Sequence, residues 1–252
     1  MTHGSLFSGI GSAELAAEWM GWENKFHCEW NEFGQKVLKY YWPKSESYGD
    51  ITKTDFTIWN GRIDILTGSF PCQDMSNAKQ HGDGQKGLEG ERSGLWTEMA
   101  RSIEEIRPRW VVAENVSNIL RINDGRDFRS ILNALAGMGY NAEWRVTRAS
   151  EVGACHHRAR MYLVAYSGNI RLSEGESFFS NVVAQIPQER RHVAGTTASV
   201  GISWPPEPEL SCVDDGLSKK LVSESIKAYG NSIIPHIHHA IFQAIDAYEN
   251  KS

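Results

Sequence analysis

The residues of this chain whose types and spacing could do covalent chemistry begin at Pro71-Cys72-Gln73, inside the stretch Ile63–Gln80, IDILTGSFPCQDMSNAKQ. A short apolar run, Ile63 to Leu66 with Asp64 interrupting it, breaks at Gly68 and then presents a thiol after a proline. An apolar strand opening into a Gly/Pro turn is how α/β enzymes set a reactive group at the carboxyl edge of a sheet. Pro71 fixes its own φ near −65° and biases Phe70 to an extended shape, so the thiol sits on a stiff turn. A thiolate there is a nucleophile if a neighbour favours it. The ordinary role of a lone cysteine is that of a small buried hydrophobe. The nucleophile reading therefore needs partners elsewhere in the chain.

Glu114-Asn115 closes another apolar run, Trp110 to Ala113. A carboxyl group in a closed apolar site has a raised pKa and can give up a proton, although strand-end acids are more commonly solvated. Arg158-Ala159-Arg160 opens a further strand, where alternation predicts both guanidinium groups on one face. From Gly87 to Ser218 every fixed positive charge is arginine, Arg145, Arg148, Arg171, Arg190 and Arg191 among them. Arginine suits bidentate contacts to phosphate or guanine, but composition alone carries no nucleic-acid claim. Near the N-terminus, Phe7-Ser8-Gly9-Ile10-Gly11 forms a glycine turn that lets a ligand approach backbone N–H groups. It lacks the third glycine of the dinucleotide fingerprint. Glu29 ends the next strand, where a carboxylate can hold ribose hydroxyls, and Asp50 ends a third; both could equally be helix caps. His236 and His239 could share a helix face, but no carboxylate or cysteine stands at ligand spacing beside them or beside His156-His157. No metal is expected, since zinc sites need three or four converging ligands.

The elements that must position these groups follow from periodicity. Helical patterns run through Ala13–Met20 to a stop at Gly21, and from an Asn31 cap through Val37, Leu38 and Tyr41 to Pro43. Others span Ser93–Ile106, Phe128–Met138 and Lys219–Ala228. Strands are expected at Lys25–Trp30, before Asp50, at Ala142–Thr147 and at Met161–Ala165. Strands alternating with helices predict an α/β fold with a mostly parallel sheet covered on both faces. The glycine-rich stretch His81–Gly90 reads as a mobile loop. From Ser167 to about Leu217 periodicity fades among Ser, Gly, Pro and Glu, as in a small loop-built subdomain or an insert. Gly230-Asn231-Ser232 reads as a turn, and Pro235 as the first residue of a final helix.

At 252 residues the chain can form one large domain, or a large and a small one. A net charge of −5 means that any nucleic-acid site must be a local basic patch. Four cysteines without a CxxC pair argue against a zinc knuckle or disulfide scaffold and suit a reducing cytosol. No signal peptide and no membrane span are expected, which makes the protein soluble and cytoplasmic.

Taken together and in order, these segments resemble the DNA cytosine-5 methyltransferase family over almost the whole chain. Leu6–Gly11 is similar to that family's first S-adenosylmethionine motif, and Glu29-Trp30 and Gly49-Asp50-Ile51 to the next two. Gly68–Gln73 resembles the catalytic Pro-Cys-Gln loop, and Gly90–Trp96 the segment after it. Glu114-Asn115-Val116 resembles the Glu-Asn-Val motif, Arg158-Ala159-Arg160 the paired arginines, and Gly230–Pro235 the closing motif. Each motif is weak alone; together and in this order they are specific.

The resemblance implies a Rossmann-like catalytic domain over 1–166, a small loop-rich target-recognition region over 167–217, and a return to the catalytic domain over 218–252. It implies catalysis by Cys72, Glu114, Arg158 and Arg160. It implies a cofactor site of Phe7, Gly9, Ile10, Gly11, Glu29, Trp30, Asp50, Ile51, Gly68, Pro71, Leu95, Asn231 and Ser232, binding S-adenosyl-L-methionine. The implied substrate is a cytosine flipped out of double-stranded DNA, the implied state a monomer, and a separately acting restriction endonuclease the implied companion. Three positions depart from the pattern. Ser5 stands where an acidic residue is usual, Cys155-His156 where Pro-Gln is common, and Met75 where Phe is frequent. A tRNA cytosine methyltransferase shares this core but carries Cys-Phe-Thr in its recognition region, whereas Cys212 is followed by Val213-Asp214. A catalytically silent DNA-binding homologue is disfavoured by the intact Cys72, Glu114 and Arg160.

Overall fold

A computed structural model describes residues 1–70, 95–154, 156–170, 177–186 and 219–250, with backbone alone at 219, 220, 222 and 231. The expectations resting on Pro71, Cys72, the glycine-rich stretch and most of 167–217 lie outside the described residues.

Seven strands form one sheet in the order β3-β2-β1-β4-β5-β7-β6. These are β1 (Thr2–Leu6), β2 (Glu23–Cys28), β3 (Glu46–Tyr48), β4 (Ile65–Gly68), β5 (Trp110–Val116), β6 (Tyr140–Thr147) and β7 (Arg160–Ser167). The first five in chain order pair in parallel, while β7 runs antiparallel to both β5 and β6. The chain moves outward from β1 to β2 and β3, then returns to place β4 on the other side of β1. Strand order therefore reverses between β1 and β4, and a crevice opens beyond their carboxyl ends.

Side-chain parity builds the two faces. Leu66, Val111, Ala113 and Leu163 pack on α3 (Leu95–Ile106) and α4 (Arg126–Gly137) through Met99, Ile103, Phe128 and Ile131. Ile65, Trp110, Val112 and Val164, one residue out of phase, pack on α1 (Ser12–Trp19) and on α5 (Phe178–Gln185) and α7 (Pro235–Glu249). Both faces are buried, so the central strands read as continuous apolar runs rather than alternating ones. α2 (Glu32–Tyr41) starts where expected: the Asn31 side chain accepts from the backbone N–H groups of Phe33 and Gly34. Pro235 opens α7.

Two local expectations change. α6 (Lys219–Asn231) continues through Gly230 and Asn231, so these residues form its last turn rather than a separate one. The aperiodic segment after Ser167 contains helix α5, whose Phe178, Phe179 and Val182 are buried against α7. Glu143 of β6 accepts from the Phe178 N–H at 3.0 Å and from the Ser177 hydroxyl at 2.8 Å, placing a carboxylate at the positive end of α5. Glu249, at the far end of α7, accepts from the Trp110 indole at 2.7 Å and pairs with Arg109 at 2.6 Å. The C-terminal helix is thereby locked to the start of β5. Among the described residues, no helix is long and apolar enough to cross a membrane.

Candidate active site

A cleft of about 1110 Å³ lies at the strand-order reversal, bounded by the ends of β1, β2, β4 and β5. Its first wall is the glycine turn. Phe7 has φ 53°, Gly9 φ 59° and Gly11 φ 90°, a left-handed run that a non-glycine residue adopts only under strain. Gly11 N–H donates to Ser8 O at 3.0 Å, and α1 begins directly after it. Glu29 ties this turn to the neighbouring helix. One carboxylate oxygen accepts from Gly9 N–H at 2.7 Å and the other from Asn31 N–H at 2.8 Å. Burial raises its pKa, and those backbone donors lower it in part. Asp50 accepts from the Thr52 N–H and hydroxyl and pairs with Lys53 at 3.1 Å, so it caps a short 3₁₀ turn while also lining the cleft. Its pKa is lowered, first by the Thr52 hydroxyl. Trp30 leaves a large apolar ring 72% exposed at the cleft wall.

Gly34 is a residue that spacing did not flag. A Cβ there would stand 2.5 Å from Gly9 O and 2.9 Å from the Glu29 Cγ. Only glycine lets the first turn of α2 rest on the glycine turn. Gly34→Ala should lower stability by about 1–3 kcal/mol. It should also weaken binding at the cleft roughly tenfold by pushing Gly9 and Glu29 apart, read together by thermal denaturation and cofactor titration.

The second wall carries Glu114 and the arginines. Glu114 is 8% exposed, and one carboxylate oxygen lies 3.1 Å from the Arg160 Nε. Burial raises the Glu114 pKa, outweighing the lowering effects of Arg160, Arg158 and the Ser69 hydroxyl. Asn115 donates to Phe70 O at 3.3 Å, which fastens the chain after β4 to the end of β5. The two arginines do not share a strand face as alternation predicts. β7 begins at Arg160, whereas Arg158 precedes it with φ 25°. Arg158 instead donates to Gly230 O at 2.9 Å and Ser232 O at 2.8 Å, clamping the end of α6 over the cleft. Ser232 Oγ also lies 2.8 Å from the Ser12 Oγ at the start of α1. Arg158→Ala should cost about 2 kcal/mol through two lost charge-assisted bonds, a fall of roughly 5 °C in melting temperature. Arg158→Lys should not restore it, because one ammonium cannot span both carbonyls with a fixed fork.

Phe7, Gly9, Ile10, Glu29, Trp30, Asp50, Ile51, Leu95, Glu114, Arg158, Arg160 and Ser232 all border this one cleft. Gly11 and Gly68 shape it from behind. A Cβ on Gly11 would reach the Trp42 ring at 2.2 Å, and one on Gly68 would meet the Met99 methyl at 2.8 Å. Ser8, Ser12, Asn31, Ser69, Phe70 and Asn115 join the wall without having been singled out for it. The histidines serve packing. The His236 and His239 rings flank Trp19 at 5.1 and 5.5 Å, and His238 is buried against Tyr162. Among the described residues, no three His, Cys, Asp or Glu side chains converge as metal ligands.

The profile of the C-5 cytosine-specific DNA methylases matches residues 1–203. The chain belongs to that family. Among C-5 cytosine-specific DNA methylases, it is 30% identical over 190 residues to the type II methyltransferase M.Sau3AI of Staphylococcus aureus, a match covering 67% of this chain and 44% of that protein. To M.HhaI of Haemophilus parahaemolyticus it is 25% identical over 252 residues, covering 90% of this chain and 74% of the relative. Against M.Sau3AI and M2.BsuMI of Bacillus subtilis, the chain spans less than half of the relative's length. Two solved structures share the fold. A protein described as a DNA modification methyltransferase encoded within an E. coli prophage superposes with TM-score 0.57 at 23% identity, over 69% of this chain and 49% of that one. The S. pombe Dnmt2 methyltransferase gives 0.56 at 16%, over 74% and 54%. The mostly parallel seven-stranded sheet is thus an architecture shared with these two structures.

Proposed function

We propose that this chain methylates C5 of cytosine in double-stranded DNA, with S-adenosylmethionine as methyl donor. The observation that carries the reading is the single cleft joining Glu114 and Arg160 on one wall to the glycine turn and Glu29 on the other. The lining fits the cofactor: a left-handed glycine turn that admits close backbone approach at the start of α1, a strand-end carboxylate and an exposed indole match a charged amino acid, a ribose and a purine. Phe7, Gly9, Ile10, Glu29, Trp30, Asp50, Ile51, Leu95 and Ser232 would hold it, together with Pro71 and Asn231. When bound, it supplies an electrophilic methyl group to the face of a base seated beside Glu114.

The chain's own residues prepare that base. A cytosine stacked in a duplex is out of reach, so it must be flipped into the cleft. The Cys72 thiolate forms a bond to C6, and the electron pair moves toward N3, where protonated Glu114 delivers a proton. C5 then carries nucleophilic character as an enamine carbon. Once C5 is methylated, loss of its proton re-forms the ring double bond and expels the Cys72 thiolate, while Glu114 recovers the N3 proton. Arg160, paired to Glu114, holds the base O2, and Arg158 fixes the end of α6. The protonated form of Glu114 that this sequence needs is the form that burial favours.

The stretch 167–217 is proposed as the target reader, with α5 serving as its anchor on the catalytic sheet. The enzyme is inferred to act as a cytoplasmic monomer, with any cognate endonuclease working separately. Bisulfite sequencing of plasmid DNA from cells expressing the chain tests the reading. Protection of cytosines at one short motif is expected. A folded protein that binds S-adenosylmethionine yet protects no cytosine would overturn DNA methylation, and transfer of labelled methyl to tRNA would then assign the RNA substrate.

A further inference from the structure

Glu14, the third residue of α1, is fully buried behind the glycine turn, and among the described residues neither carboxylate oxygen closes a hydrogen bond. The Ser5 and Ser8 hydroxyls lie beside it and share one hydrogen bond, Oγ to Oγ at 2.6 Å, which uses one of their two protons. Ser8 and Ser12, both just before Glu14 in the chain, border the cleft. Burying an uncompensated carboxyl is costly, so a group retained in this position calls for a compensating charge. The mechanism above makes no use of it. Position 5, at the end of β1, is the neutral Ser5, and Glu14 brings a carboxyl group to the same turn from the helix that follows.

We propose that Glu14 is a positioning residue for the cationic cofactor: its carboxylate, acting through Ser5 and Ser8, sets the glycine turn and balances the positive charge bound there. This inference rests on the S-adenosylmethionine reading above. Without ligand, burial holds the Glu14 pKa up at about 7, with Glu29 adding to the rise and the two serine hydroxyls opposing it. The buried titratable groups nearest α1 keep one form at neutral pH. His3 on β1, His27 on β2 and His238 on α7 all have pKa values lowered by burial, to about 4, 4 and 3, and stay neutral. The Cys28 thiol is pushed up to about 12 and stays protonated. A cation seated at the turn favours the ionised carboxylate, so cofactor binding draws the proton off Glu14.

Calorimetric titration of the full chain with S-adenosylmethionine near pH 6 and near pH 8, in two buffers of different ionisation enthalpy, counts the proton. The wild type should release close to one proton near pH 6 and little near pH 8, with affinity rising about tenfold between them. Glu14→Gln, isosteric and neutral, should bind about tenfold more weakly than the wild type near pH 6 and about a hundredfold more weakly near pH 8, with its own affinity flat between them, and release none. A variant that keeps the wild-type rise would overturn the proposal and move the proton to Glu29. A wild type that binds without releasing a proton overturns it too, and that measurement decides the matter even if Glu14→Gln does not fold. Absence of all binding by the wild type would instead sink the cofactor reading, and this inference with it.

Discussion

Cys72→Ala should abolish methyl transfer, lowering the rate by at least about 10⁴-fold while S-adenosylmethionine still binds. Loss of a catalytic nucleophile costs on this order because no other group opens the same covalent path. Cytosine C5 is a poor nucleophile until a bond forms at C6, so a protein without the thiolate holds both reactants and joins neither. Cys28 borders the cleft, but it cannot substitute. Cys28 is buried at the end of β2 with its thiol directed at Gly49 O, 3.7 Å away, and burial together with Glu29 and Asp50 pushes its pKa up to about 12. It has almost no thiolate at neutral pH. Glu29, Asn31 and Gly34 belong to the wall proposed to hold the cofactor, and Cys72 is not among the residues proposed to hold it, so the dissociation constant should move less than about threefold. Labelled-methyl incorporation above one hundredth of the wild-type rate in Cys72→Ala would show that another group attacks the base.

Much of this arrangement was legible in the residues, and the misses have physical reasons. The β1–turn–α1 unit reads directly because glycine at positions 9 and 11 marks backbone that few other residues can adopt. Asn31 before an amphipathic run and Pro43 after it bracket α2 for similarly local reasons. Helix α5 was hidden because its cap is not local. The carboxylate at its N-terminus comes from Glu143, some thirty-five residues earlier in the chain, and its apolar face is justified only by α7. The arginine pair misled because alternation assumes a strand already under way. With Arg158 at φ 25°, β7 starts two residues later, and the guanidinium groups take different tasks. Gly34 and Glu14 escaped for a further reason: what makes each matter is its place against the glycine turn in three dimensions, and neither residue type signals it. Motifs located the chemistry, whereas the packing that holds it in shape had to be seen in three dimensions.

Glu114→Gln should reduce kcat/KM by about 10²–10⁴-fold, the usual worth of a positioned proton donor. The amide keeps the size of the carboxyl group and can hydrogen-bond N3, but it has no proton to transfer. The pH profile separates this role from a structural one. With Cys72 active as thiolate and Glu114 active as acid, the wild type should show a bell. The rate falls on the alkaline side as Glu114, its pKa raised by burial, loses its proton. Glu114→Gln should lose that alkaline limb and keep the acid one. Stability should move the other way. A carboxyl group whose folded pKa lies above its unfolded value adds stability below about pH 4.5 that is lost as pH rises through the folded pKa. Above its raised folded pKa the wild type therefore carries an ionised carboxylate that burial disfavours more than Arg160 compensates, and the neutral amide removes that cost. The variant should be far slower yet melt no lower than the wild type at pH 8. If it melts clearly lower, the Arg160 pair outweighs burial and Glu114 ionises at its ordinary pH, leaving the N3 proton to come from water.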